Sequence, residues 1–153
     1  MERRDFIKKT GLGLAAAAGT VAIPAKAQTT DLPVIKWRMA SSFPKSLDTI
    51  YGAGEVLARR LSEITEGKFE IRVFAGGEIV PPFGVLDAVQ QNTVEICHTA
   101  SYYFHGKNKA FALDCSVPFG LTARQMYAWN YHGEGGPLLR EFFAKYNVVN
   151  FPG

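Results

Sequence analysis

Apolar and polar positions alternate in blocks along the chain, and the blocks predict alternating strands and helices. Val34-Ile35-Lys36-Trp37-Arg38-Met39 has an alternating apolar set and predicts a strand, stopped by the turn-like Ser41-Ser42-Phe43-Pro44. Leu47, Ile50, Tyr51, Gly54, Leu57, Ala58, Leu61 and Ile64 then recur at spacings of three and four, with Arg59, Arg60, Glu63 and Glu66 off the stripe. This is one face of a long helix, and Gly67 is placed to stop it. Lys68-Phe69-Glu70-Ile71-Arg72-Val73-Phe74 alternates strictly, as a half-buried strand does.

After a turn at Ala75-Gly76-Gly77-Glu78, Pro81-Pro82 is expected to open a short helix carrying Val85, Leu86 and Val89, with Asn92 ending it. Val94-Glu95-Ile96-Cys97-His98-Thr99 predicts a third strand. Thr122 to Gln125 has capping-box spacing, so a helix should start at Thr122, and a glycine cluster at 133–136 interrupts it. Pro137 is expected to begin another helix, and Val148-Val149-Asn150-Phe151 reads as a last strand.

The predicted order β-α-β-α-β-α-α-β implies an α/β fold with a parallel sheet and helices on both faces. Ligands in such sheets bind beyond the carboxyl ends of the strands. Those ends fall at residues 40–45, 75–78, 98–104 and 151–153. The loop at 41–46 offers hydroxyls and the Lys45 cation; ordinary turn and N-cap chemistry explains it equally well. His98-Thr99-Ala100-Ser101-Tyr102-Tyr103 joins a strand end to hydroxyl donors and aromatic rings, a set that suits a small organic acid. Packing of aromatics into a core is the competing explanation.

The N-terminus changes the picture of the whole. Arg3-Arg4-Asp5-Phe6-Ile7-Lys8, a weakly apolar Gly/Ala-rich run at 11–23 and Ala25-Lys26-Ala27 form, in order, the three parts of a cleavable twin-arginine signal. The apolar run is shorter than the ~20 residues of a membrane span. Residues 1–27 are therefore expected to be the signal, and export places residues 28–153 in the periplasm. Five of the 17 basic and two of the 14 acidic side chains lie in the first 27 residues, which leaves 12 of each sign behind them. The formal +3 thus belongs to the signal, and the cargo carries no basic surface for nucleic acid or an acidic membrane. The remaining length suits one modest core, not two full domains.

Chemistry is sparse. Residues 28–153 contain no G-x-G-x-x-G, G-x-S-x-G, H-E-x-x-H or C-x-x-C, and His98, His105 and His132 lack metal-ligand spacing. Export permits a disulfide between Cys97 and Cys115, yet Cys97 lies in an apolar strand pattern where a buried free thiol is common.

Residues 35–48, Ile35 to Asp48, resemble the start of solute-binding proteins of TRAP (tripartite ATP-independent periplasmic) transporters. Cys97-His98-Thr99 with Tyr102-Tyr103, Gly106-Lys107, Val117-Pro118-Phe119-Gly120, Trp129-Asn130-Tyr131-His132-Gly133 and residues 147–153 extend the likeness over nearly all of the cargo. It is nearest to the branch that binds 2-oxo acids such as pyruvate. The resemblance implies a two-lobed receptor that closes over a small carboxylate and delivers it to membrane permease subunits, with no bond chemistry. It places His98, Thr99 and Ala100 in the ligand site with Tyr103 nearby, and Phe43 and Ser42 as weaker members. It further implies sodium or another cation bound with the ligand, held by groups past the end of this chain, and it allows a homodimer in the full-length form. Family members are more than twice this length, and the arginine that pairs with the ligand carboxylate also lies past Gly153. The chain therefore looks like the N-terminal part of such a receptor, its first lobe, from a fragment, a truncated gene or a partial record. Two alternatives stand beside this reading. One is a secreted cofactor-dependent enzyme, which would need a cofactor fingerprint. The other is a truncated remnant without function.

Overall fold

The computed structural model describes residues 33–115 and 117–152, and the segment read as an export signal lies outside them. Three strands form one parallel sheet: β1 (Ile35–Ser41), β2 (Phe69–Phe74) and β3 (Ile96–His98), in the order β2-β1-β3. β1 pairs with β2 from Ile35 opposite Phe69 to Ala40 opposite Phe74, and with β3 from Met39 opposite Ile96 to Ser41 opposite His98.

The chain leaves β1 through α1 (Asp48–Ile64) to reach β2, then crosses back over β1 through α2 (Val85–Gln90) to reach β3. Successive side chains of a strand point to opposite faces, and this alternation separates the two helices. Met39 and His98 face α1 at Gly54. Ala40 and Cys97 face the other way, into a core built with Val85, Leu86 and Ala88 of α2. Helices thus cover both faces, as the alternating pattern predicts.

That second face holds the larger core. α3 (Ala123–His132) and α4 (Gly135–Ala144) follow two 3-10 turns at Ser101–Phe104 and Lys109–Ala112. Phe111, 1% exposed, is the centre of an aromatic cluster with Phe104, Phe142, Phe143 and Tyr146 at centroid distances of 4.8–5.9 Å. The helix ends match their local signals. Thr122 and Gln125 form the reciprocal capping box of α3. Gly67 and Asn92 adopt positive φ after α1 and α2.

Five expectations need correction. Residues 148–151 form no strand: the Val148 amide donates to the Phe143 carbonyl and closes the end of α4, so the backbone there serves a helix exit instead of a sheet edge. β3 is three residues long, because the chain turns into the first 3-10 turn directly after Thr99 and Ala100. Pro81 and Pro82 lie in the turn before α2, where their carbonyls accept bonds from Gly84 and Ser42. α4 starts at Gly135, which makes Pro137 a first-turn residue and not the start. The apolar stripe of α1 is also wider than the face it buries: Tyr51, Gly54 and Ala58 are enclosed, whereas Ile50, Leu57 and Ile64 stay exposed.

Candidate functional site

The strand order reverses at β1, and the loops leaving β1 and β3 meet at the crevice that such sheets use for ligands. The two loops are tied together. The Ser42 amide donates to the His98 carbonyl at 2.9 Å. The Ser42 hydroxyl lies 2.6 Å from both the Pro82 carbonyl oxygen and the Thr99 hydroxyl. A hydroxyl has one proton, so Ser42 donates to the carbonyl and accepts from Thr99. Buried Ser41 accepts from the Phe43 amide at 3.0 Å and fixes the bend that follows β1.

Aromatic rings line the crevice above these bonds. Phe43 meets His98 edge-on at 5.1 Å and Tyr103 at 6.2 Å. Ala100 and Tyr103 pack with Phe43, Tyr51 and Ala75 in one small cluster. All six residues singled out from the sequence, Ser42, Phe43, His98, Thr99, Ala100 and Tyr103, therefore gather in one place. Ser101 does not join them, since its hydroxyl turns to Asp114 and Cys115.

The electrostatics of the crevice are close to neutral. Lys45 is spent on Glu78 at 2.6 Å, and Glu78 also accepts from the Ala75 amide. The hydrogen bond with Lys45 holds the Glu78 carboxyl below its usual range and raises Lys45. The loop cation named from the sequence is thus already paired. Burial lowers the pKa of His98, which keeps the imidazole neutral at pH 7. A carboxylate placed here finds neutral donors and aromatic surface, and its charge has to be balanced from elsewhere.

Three features escaped the sequence reading. Phe83 reaches Tyr103 at 5.2 Å from the turn before α2. A Cβ on Gly76 would come within 2.9 Å of the Ser42 carbonyl oxygen, so Gly76 lets the β2 loop press against the β1 loop, and its amide bonds Phe43 at 3.0 Å. Gly54 plays the same part on α1, against His98. Gly-Gly was visible as a turn, but close approach between distant loops has no local sequence signal. Cys97 and Cys115 are both free thiols, and burial pushes Cys97 up to about 11.

A second concavity, of about 170 Å³, is lined by Leu113, Val117, Gly120, Leu121, Met126 and Trp129. It has no charged side chain to orient a carboxylate.

Residues 40–151 match the family model DctP, bacterial extracellular solute-binding protein, family 7. The chain belongs to this family. Over 99% of its length it is 47% identical to a monocarboxylate 2-oxoacid-binding periplasmic protein of Nostoc sp., and it spans 42% of that relative. A TRAP transporter solute-binding protein of Bordetella bronchiseptica, solved as a dimer with calcium and picolinate in an active site, is 50% identical with a TM-score of 0.75. That match covers 76% of this chain and 35% of the other. A TRAP periplasmic solute-binding protein of Pseudoalteromonas atlantica, solved with sodium and pyruvate, is 32% identical with a TM-score of 0.74 over 78% of this chain and 36% of the other. The α/β lobe of this family is therefore the fold expected from the strand and helix pattern.

The solved relatives hold sodium or calcium together with their ligands. Among the described residues no three His, Cys, Asp or Glu side chains gather, and Glu78, the carboxylate of the β2 loop, is bound to Lys45.

Proposed function

We propose that this chain supplies one wall of the ligand site of an extracytoplasmic receptor for small 2-oxo carboxylates, which passes its cargo to the permease subunits of a TRAP transporter. The carrying observation is the convergence of the β1 and β3 loops, which brings Ser42, Phe43, His98, Thr99, Ala100 and Tyr103 into one crevice. Phe43 and Tyr103 cover the hydrocarbon part of the ligand, and His98 meets its oxygen atoms. The opposing wall, with the cationic groups that balance the carboxylate and the metal ion, lies outside these residues. The receptor works by binding and release, with no bond made or broken. Residues 1–27 act as the twin-arginine export signal and residues 28–153 form the N-terminal portion of the receptor, its first lobe.

The test is calorimetry with pyruvate and calcium or sodium on two proteins. One is this chain alone. The other is a chimera in which the chain replaces the matching segment of the Bordetella bronchiseptica protein. Binding by the chimera and none by the lone chain is expected. A folded chimera that binds neither pyruvate nor picolinate would overturn the reading, and micromolar affinity in the lone chain would overturn the division of the site into two walls. Export is tested by fusing residues 1–27 to a reporter, which should reach the periplasm only in cells with an intact twin-arginine translocase.

A further inference from the structure

His98 and Gly54 form a contact that the ligand reading alone does not require. Of the two ring nitrogens of His98, only Nδ1 is sealed from solvent without a hydrogen-bond partner. It is closed off by α1: a Cβ built on Gly54 would stand 3.3 Å from Nδ1 and 3.1 Å from Met39 Sδ, both tighter than ordinary contact. Gly54 is buried in the middle of a helix, where glycine is a poor choice for helix stability. Its missing side chain is what allows α1 to lie on the histidine. Phe43 meets the ring edge-on from the β1 loop at 5.1 Å.

We infer that Gly54 is a positioning residue which, by closing α1 over Nδ1, confines the proton of neutral His98 to Nε2 and presents an N–H donor to the crevice. A neutral imidazole carries one proton. Nδ1 is unpartnered in either tautomer, as a buried donor with no acceptor or as a bare acceptor with no donor, and the orphaned N–H is the less tolerated of the two. On Nε2 the proton bonds water or ligand, and the bare Nδ1 faces the Gly54 backbone and Met39. A 2-oxo carboxylate offers only acceptor oxygens, so a fixed donor is the matching chemistry. Thr99 cannot supply it while its proton is held by Ser42. The inference rests on the crevice being the ligand site, but the state of the histidine is read without ligand.

The first experiment is long-range proton–nitrogen NMR on the ¹⁵N-labelled chain. The Nε2–H tautomer is expected for His98. Gly54→Ala should move the ring off α1 and give a mixture of tautomers. Gly52→Ala on the same helix, where a Cβ would meet nothing within 4 Å, should leave the histidine signals unchanged. An Nδ1–H tautomer in the unaltered chain would overturn the inference, as would Gly54→Ala with unchanged signals. Should Gly54→Ala not fold, the chimera provides a second arm. A glutamine amide reaches the place of Nε2 and an asparagine amide the place of Nδ1. His98→Gln should keep pyruvate affinity within about threefold, and His98→Asn should lose about tenfold or more, the scale of one hydrogen bond to a charged group. Equal losses would sink the donor role. A chimera that fails to bind before any substitution speaks against the ligand reading and leaves the tautomer result standing.

Discussion

Phe111 and Phe119 lie close together in sequence and could hardly be placed more differently. Phe111 is 1% exposed inside a cage of four aromatic rings. Phe119 is fully exposed and sits at φ +56 in the tight turn closed by the Gly120 amide on the Val117 carbonyl. The contrast extends to their surroundings. The core on the α2 face of the sheet is enclosed, whereas α3 buries no residue completely, and Leu113, Leu121, Tyr127, Tyr131 and Leu138 around it remain about half exposed or more. Apolar content is therefore a poor guide to stability. Side chains on the sheet faces contribute because they leave water, and those on the outer helix contribute little because they do not.

The comparison is tested most severely at its centre. Phe111→Ala should cost about 3–5 kcal/mol, since it removes the ring that the whole cluster packs against. Urea unfolding followed by circular dichroism measures it, and a loss below about 1 kcal/mol would mean that the cluster is not the core of the folded protein. A smaller loss is expected where the outer helix joins the inner one. A Cβ on Gly135 would stand 2.4 Å from the Trp129 ring, which lies against the start of α4. Gly135→Ala should cost about 1–3 kcal/mol as the indole is displaced. Tryptophan fluorescence should shift with it. An unchanged spectrum and midpoint would show that α3 is not seated by this contact.

Much of this was legible in the chain because the signals are local. The period-two run at 68–74, the stripe of α1 and the capping box at Thr122 each act within one element, and each produced that element. That the six candidate residues lie together was legible because they sit at two neighbouring strand ends, where such sheets bind, and because their order resembles a known family. What stayed hidden depends on distant partners. Val148 has the composition of a strand but spends its amide on α4. Lys45 looked like a free cation until Glu78, from another loop, was placed beside it. Gly54, Gly76 and Gly135 are informative only once the atoms opposite them are known.

Acid offers a gentler way to separate the layers. Arg38 donates to Glu95 from its side chain and its backbone, and these bonds hold the Glu95 carboxyl at about 2, below its ordinary 4.5. A depressed carboxyl contributes stability that is complete above pH 4.5 and is lost as pH falls toward 2. His98, also depressed, adds a loss that begins as pH falls below its ordinary 6.5. Both groups belong to the sheet layer. Stability should therefore decline in two windows, and Glu95→Gln should flatten the lower one alone. The effect is modest because solvent screens the Arg38–Glu95 pair. A Glu95→Gln protein with the same acid profile would show that the ion pair does not hold β1 to the residue before β3.

The smallest effect belongs to Phe119. A left-handed conformation costs a non-glycine residue roughly 1–2 kcal/mol, and glycine removes that strain while adding about 0.5–1 kcal/mol of chain entropy to the unfolded state. With no buried contact to lose, Phe119→Gly should leave stability unchanged or raise it by about 1 kcal/mol. The same urea titration that registers Phe111→Ala reads this difference. A loss above about 2 kcal/mol would show that the ring is covered in solution, because an exposed side chain on a strained turn has no other means of stabilising the fold. Such a result would turn the contrast between the two phenylalanines from one of burial into one of partner: Phe111 against its own chain, Phe119 against another surface.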